Sequence, residues 1–195
     1  MQLIRVFSVS VFMTVATTVI LGLGYPLAVT ALAQALFPRQ ANGLDVATGQ
    51  YVGGDLIGQP FASAGYFWPR PSAAGRGYDA SASGGSNLGP TNKRLIHRIE
   101  AEIARLRATN PGAPVPVDLV TTSASGLDPH ISPAAADFQV SRVARERGAG
   151  VEEIRRLVAA HTEGRQFGVL GEPRVHVLRL NRALDQRYAR SAAAR

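Results

Sequence analysis

Cysteine is absent from all 195 residues. No disulfide can staple this chain and no thiol is there to be oxidised, so the compartment cannot be read from a disulfide framework. Lysine is nearly missing too: Lys93 is the only one, and arginine carries the basic charge. Aromatic residues make up 7% of the chain and include one tryptophan, Trp68. Nucleic-acid surfaces cluster basic groups with stacking aromatics. Here the arginines are spread along helical stretches among glutamates, as on a solvated or partner-facing surface, and nucleic acid is not an expected partner. There is no internal repeat and no long low-complexity linker. Arg190 to Arg195 reads as a frayed terminus.

Charge is missing altogether between Val6 and Pro38, a run bracketed by Arg5 and Arg39. As a helix, Val6 to Leu32 would be about 40 Å long at about 1.5 Å per residue. A bilayer core needs about 20 apolar residues, so residues 6–36 are expected to form a transmembrane helix. A secretory signal is the rival, because Ala31-Leu32-Ala33 is an A-x-A pattern and Arg5 supplies a short positive region. The run is longer than the usual h-region of about 7–15 residues, which favours a retained anchor. Gly22 and Gly24, with small residues at Ala28, Ala31 and Ala35, would let a partner helix pack closely.

Orientation rests on length more than on charge. Arg5 and Arg39 nearly cancel in the positive-inside count, and long translocated domains largely escape that rule. The short leading tail predicts an N-in anchor with residues 40–190 as a periplasmic domain. About 155 residues remain after the anchor, enough for one globular domain with its own core. Residues 40–195 keep 19 of 21 basic groups and all 14 acidic ones, a net +5.

The pattern of that domain is mixed. Short strands are expected at Tyr51-Val52 and Leu56-Ile57. Tyr66-Phe67-Trp68 reads as a packing cluster, with an interfacial belt as the alternative. A helix from Asn92 to Ala108 carries Leu95, Ile96, Ile99, Ile103 and Leu106 on one face, capped by Thr91 or Asn92 and stopped at Asn110-Pro111-Gly112. Val117–Val120 reads as a strand, and Leu127–Ile131 as a tight polar turn. Ser132-Pro133 opens a helix running to Arg147 before Gly148. Another helix spans Val151–His161, and a last strand covers Arg174–Leu180. The fold class is therefore a single N-terminal transmembrane α-helix plus one mixed α/β (α+β) soluble domain.

No independent active site is assembled by these motifs. Gly84-x4-Gly89 approaches the Walker A loop, but Pro90 stands where the lysine belongs and removes a backbone N–H as well. With Thr91 it can still present helix N–H groups to an anion, or it is simply a structural turn whose glycines permit positive φ. On the first reading Gly84, Gly85, Ser86, Asn87, Gly89 and Thr91 are candidate nucleotide-binding residues. Ser123, Ser125, Asp128 and His130 lie close in sequence, yet triads are built by geometry and no G-x-S-x-G elbow is present. Ser-rich turns capping the Ser132 helix explain the same residues more simply. His97, His130, His161 and His176 lack paired metal-ligand spacing, and no metal is expected. A signal-bearing periplasmic hydrolase or binding protein is the reading from a different class.

Four segments together carry a resemblance: YFWPRPSA (Tyr66–Ala73), SGGSNLGPTN (Ser83–Asn92), VPVDLVTTSASGLDPHISPAAA (Val115–Ala136) and LGEPRVHVLRLN (Leu170–Asn181). With the single span, they resemble the KdpC family of the Kdp potassium-transporting P-type ATPase over nearly the whole chain. One departure is His176, where the family usually shows asparagine. The resemblance implies a non-catalytic, single-pass subunit of a bacterial inner-membrane complex that hydrolyses ATP and imports K⁺. Its implied partners are a potassium-channel-like subunit, the ATP-hydrolysing subunit, a small membrane subunit and membrane lipid. The absence of a D-K-T-G phosphorylation motif agrees. The family is described as a catalytic chaperone that raises ATP affinity in the hydrolysing subunit. ATP is thus the implied shared cofactor, and Gln139 matches the glutamine proposed to touch it. An external domain cannot reach cytosolic ATP, so the alternative is a periplasmic cap over the potassium entrance that acts on ATP indirectly. The net positive charge would not attract K⁺, which leaves ion guidance to groups such as Asp118, Asp128 or Glu172.

Overall fold

The computed structural model describes residues 2–42, 54 and 56–188. The chain forms two units, Met1–Gly54 and Asp55–Arg195. The strand expected at Tyr51-Val52 and the terminus from Arg190 lie outside the described residues.

The first unit is helical: α1 (Gln2–Thr17), a π-helical stretch (Thr18–Gly24), α2 (Tyr25–Leu36) and a short α3 (Pro38–Asn42). Among the described residues, Gln2–Leu36 is the one helical run long and apolar enough to cross a membrane. None of its side chains is buried within the chain, as an all-round apolar helix meant for lipid requires. The π turn has a local cause. Pro26 supplies no N–H and its ring crowds the Gly22 carbonyl, so the helix widens, and the Tyr25 N–H reaches back five residues to the Ile20 oxygen. The hydroxyls of Thr14, Thr17 and Thr30 donate to carbonyls four residues back at 2.7–2.8 Å, which satisfies these three donors within the helix itself. Phe37 leaves the helix because Pro38 follows it. Gln34 and Asn42 then close the corner with paired amide bonds of 2.9 and 3.1 Å.

The second unit begins with an irregular segment. Leu56-Ile57 forms a turn rather than the expected strand: the neighbouring Gly58 N–H bonds the Leu127 carbonyl at 2.7 Å, outside any ladder. α4 (Lys93–Thr109) starts where Asn92 accepts the Arg94 N–H, and it buries Leu106 with Ile99 and Ile103 packed behind. Ile96, expected on that face, is exposed. Residues Val117–Leu119 are a 3₁₀ turn, not a strand. Pro116 sets the turn's entry, and the curl brings Asp118 to the Ser132 N–H (2.7 Å) and hydroxyl (3.1 Å). A straight strand would leave the start of the next helix without that carboxylate.

The sheet is small and antiparallel, in the order β1 (His130–Ile131), β3 (Arg174–His176), β2 (Thr162–Glu163). Part of the predicted polar turn is therefore a strand: His130 pairs with His176, and Ile131 with Val175. Two helices fall where expected. α5 (Pro133–Arg147) is capped by the Ser132 hydroxyl on the Ala135 N–H and ends at Gly148 with φ +62°, while α6 covers Val151–Ala160.

The last element departs most from expectation. Strand β3 stops at His176 and α7 (Val177–Arg187) follows, where a strand to Leu180 was expected. The His176 ring nitrogen takes the Arg179 N–H at 3.4 Å, so it occupies the N-cap that an asparagine fills well. Leu180 and Leu184, one helical turn apart, are fully buried. With Phe67, Val140, Ile154 and Val175 they form the core between the helices and the sheet.

One glycine ties the loops to this frame. Gly126 has φ +69°, and a Cβ there would lie 2.6 Å from the Ala74 nitrogen and 2.7 Å from the Gly84 oxygen. Gly126→Ala is expected to cost about 3 kcal/mol in a denaturant titration. Gly164→Ala, with open space around it, should shift stability by less than about 0.5 kcal/mol.

Candidate functional site

The densest polar chemistry of the domain surrounds residues 64–70. A turn at Ala64–Gly65, where the Tyr66 N–H reaches the Ser63 carbonyl at 3.1 Å, leads into irregular chain at 67–70 with no paired strand, so these backbone groups need other partners. Side chains from α5 and α7 supply them. Asn181 accepts the Phe67 N–H at 2.9 Å and returns a bond to the Phe67 carbonyl at 3.0 Å. Gln139 does the same one residue on, with 2.7 Å from the Trp68 N–H and 3.1 Å to the Trp68 carbonyl. Each carboxamide imitates one rung of a β-ladder.

Two arginines complete the clamp. Arg142 donates to the carbonyls of Tyr66 (3.0 Å) and Ala64 and to the Gln139 oxygen (2.7 Å). Arg147 donates to the Gly65 and Tyr188 carbonyls at 2.8 and 3.1 Å and lies 2.8 Å from the Asp185 carboxylate. The Arg142 guanidinium also stands 3.7 Å from the Trp68 ring centre, with Arg105 at 4.4 Å. Burial, reinforced by the nearby Arg105 charge, pushes the Arg142 pKa down to about 10. Neither Arg142 nor Arg147 belongs to a solvated surface, as their place among glutamates had suggested.

Gln139 is 2% exposed, and its second N–H goes to the Ala135 carbonyl at 3.1 Å. Its oxygen accepts two bonds and its nitrogen donates two, which uses the whole amide. The glycine-rich loop has different neighbours. The Gly84 N–H and Ser83 hydroxyl donate to the Ser125 carbonyl, and Gly85 sits so close to Ala124 that a Cβ would be 3.1 Å from its oxygen. Ser86, Asn87 (φ +49°), Gly89 and Thr91 carry the chain onward to the Asn92 cap of α4, whose first turn holds Lys93 and Arg94. Among the described residues the loop and Gln139 share no bonded neighbour.

Beyond the clamp, Arg70 bonds Asp128 at 3.1 Å, and the other Asp128 oxygen accepts the His130 N–H and faces its Nδ1 at 3.1 Å. These groups line an open cleft of about 390 Å³ with Asp118, Glu172 and Arg174. The serines do not extend this pair into a triad. Ser125 and Ser123 accept the N–H groups of Leu127 and Asp128, which is turn-shaping work. His161 closes α6 through its ring and the Leu157 carbonyl. Among the described residues no group of three or more His, Asp or Glu is arranged to hold a metal.

A family model described as "K+-transporting ATPase, c chain" matches residues 7–186. The chain belongs to the KdpC family. Relatives named potassium-transporting ATPase KdpC subunit agree. The protein of Koribacter versatilis is 60% identical over 177 residues, covering 90% of this chain and 92% of its own. That of Myxococcus xanthus is 62% identical over 178 residues (89% and 84%). That of Acidobacterium capsulatum is 58% identical over 181 residues (92% and 97%).

Residue spacing did not point to Asn181, Arg142 or Arg147. A trace was there: Gln139 and Arg142 interrupt the apolar positions Phe138, Val140 and Val143 of a KdpC-family helix, and polar groups on a core face need partners. Gln139→Ala would strand the Trp68 N–H, the Trp68 carbonyl and one Arg142 donor. A loss of about 2–4 kcal/mol in unfolding free energy is expected. An unchanged denaturation midpoint would show that the clamp carries no stability.

Proposed function

We propose that this chain is the accessory, non-catalytic subunit of an ATP-driven K⁺ uptake complex. The single observation that carries this is the family match over residues 7–186, which takes in both the apolar helix and the domain. In this reading the helix crosses the bacterial inner membrane once, N-in, and the domain stands on the periplasmic side. Its partners are the potassium-channel-like subunit, the ATP-hydrolysing subunit and a small membrane subunit.

Any effect on ATP affinity is then exerted through the partners, by contacts that favour one of their states. Two features support an indirect route. A periplasmic domain is separated from cytosolic nucleotide by the bilayer, and the Gln139 amide has no hydrogen-bonding capacity left over. In this reading Gln139 is a clip that shapes the domain, and Gly84–Thr91 is the turn that delivers α4. A catalytic chaperone and a cap over the ion entrance become two descriptions of one subunit docked beside the pore.

A thiol placed by Ala108→Cys tests the topology, because the chain has no other cysteine and position 108 is exposed on α4. Intact cells treated with a membrane-impermeant maleimide should label this site as fully as lysed cells do. Labelling only after lysis would put the domain in the cytosol and make direct nucleotide contact the better account.

A further inference from the structure

The connection between β2 and β3 is a closed hairpin with an apolar tip. The Gln166 N–H donates to the Leu170 carbonyl at 2.8 Å, and the Leu170 N–H returns to Gln166 at 2.9 Å. The Gly168 N–H adds a bond to the Arg165 carbonyl, and the Val169 N–H one to Gln166. At the neck, one Arg165 nitrogen reaches both Glu172 oxygens at 2.7 and 2.9 Å. Phe167 stands at the tip 92% exposed, with Val169 at 72% and Leu170 at 56%. Of the seven exposed large hydrophobic residues described in the second unit, three are here. Phe167 also holds a left-handed φ of +52°, a conformation that aromatic residues rarely adopt.

We infer that this hairpin is a docking knob that seats Phe167, Val169 and Leu170 in an apolar groove on another subunit of the transport complex. The inference rests on the reading of the chain as a subunit of that complex. Three features select a protein groove over other occupants. The first is rigidity: four backbone hydrogen bonds and a bidentate neck present one shape, which suits a complementary pocket. The second is charge. Arg165 is paired with Glu172, and Arg174 and Arg179 with Glu163, whereas lipid-surface segments offer free basic groups to anionic headgroups. The third is area. Three side chains offer on the order of a few hundred Å², while a stable stand-alone dimer needs about 800 Å² per partner. That is too little to hold two copies together. It is enough to orient a domain that a membrane helix already keeps near its partners.

The test uses the whole complex in native membranes, with a photoreactive phenylalanine analogue at position 167. Irradiation should join this chain to another polypeptide of the complex. An adduct with lipid, with a second copy of this chain, or none at all overturns the inference. Phe167→Asn supplies an independent reading, since asparagine tolerates the left-handed backbone while removing the ring. The variant chain should keep its thermal midpoint, and the purified complex should lose it at least tenfold faster than wild type. An unchanged dissociation rate overturns the inference. If wild-type chain fails to co-purify with any transporter subunit, the subunit reading itself falls. Co-purification without an adduct at 167 defeats the knob alone.

Discussion

Five residues of backbone, from the turn at Ala64 to Trp68, have no strand paired beside them, and side chains of α5 and α7 satisfy them instead. Buried N–H and C=O groups left unpaired cost about 1–3 kcal/mol each. Asn181 and Gln139 each close a two-way amide bridge to this segment, and Arg142 and Arg147 add bonds to its carbonyls. The consequence is positional. Phe67 enters the core, Trp68 lies against two guanidinium groups, and Arg70 emerges where it can meet Asp128. The segment docks α5 and α7 through one set of contacts, and it does so with side chains in place of a sheet.

Buried arginine is an expensive donor, and its use here has a reason. A guanidinium carries five N–H groups in a fixed fork and stays charged when partly desolvated. Arg142 gains carbonyl acceptors and the face of Trp68, which offset part of the desolvation that lowers its pKa. A lysine has fewer directed donors at that place. The exposed pairs, such as Arg155 with Asp137 and Arg105 with Glu102, belong to another category: solvent screens them, and each contributes little. Among the described residues the arginines therefore include a few structural ones, Arg142 and Arg147, beside exposed ones in screened pairs.

Local chemistry was legible in the sequence where one residue decides the outcome. Ser132-Pro133 opened a helix, Asn92 capped another, Gly148 ended α5 in a left-handed turn, and the uncharged run formed one long helix. Patterns that two structures share were not legible. Val175, Val177, Leu178 and Leu180 fit a half-buried strand or the start of a helix. Only the depth of Leu180 and Leu184, with the His176 cap, selects α7. Val117–Val120 failed for a similar reason: its β-branched residues suggest a strand, but Asp118 is needed at the start of α5, fourteen residues away. The polar break at Gln139 was legible, but what it and Asn181 hold was not, because their partners are backbone atoms, which carry no sequence signal.

The clamp also bears on the indirect route to ATP proposed above. Allostery requires an element with two arrangements that both sites bias. Gln139 is poorly suited to switch, because its amide is saturated and moving it strands several buried groups at once. The clamp holds one arrangement of α5 against the 64–68 segment. That shifts the burden to the domain's attachments, the helix of residues 2–36 and the surfaces it shows to partners. Within the helix, the π turn at Thr18–Gly24 is the one departure from regular geometry, and it is set by Pro26. On the proposed reading, coupling to ATP depends on what the domain's contacts stabilise in the partner, because the clamp has no second arrangement to offer.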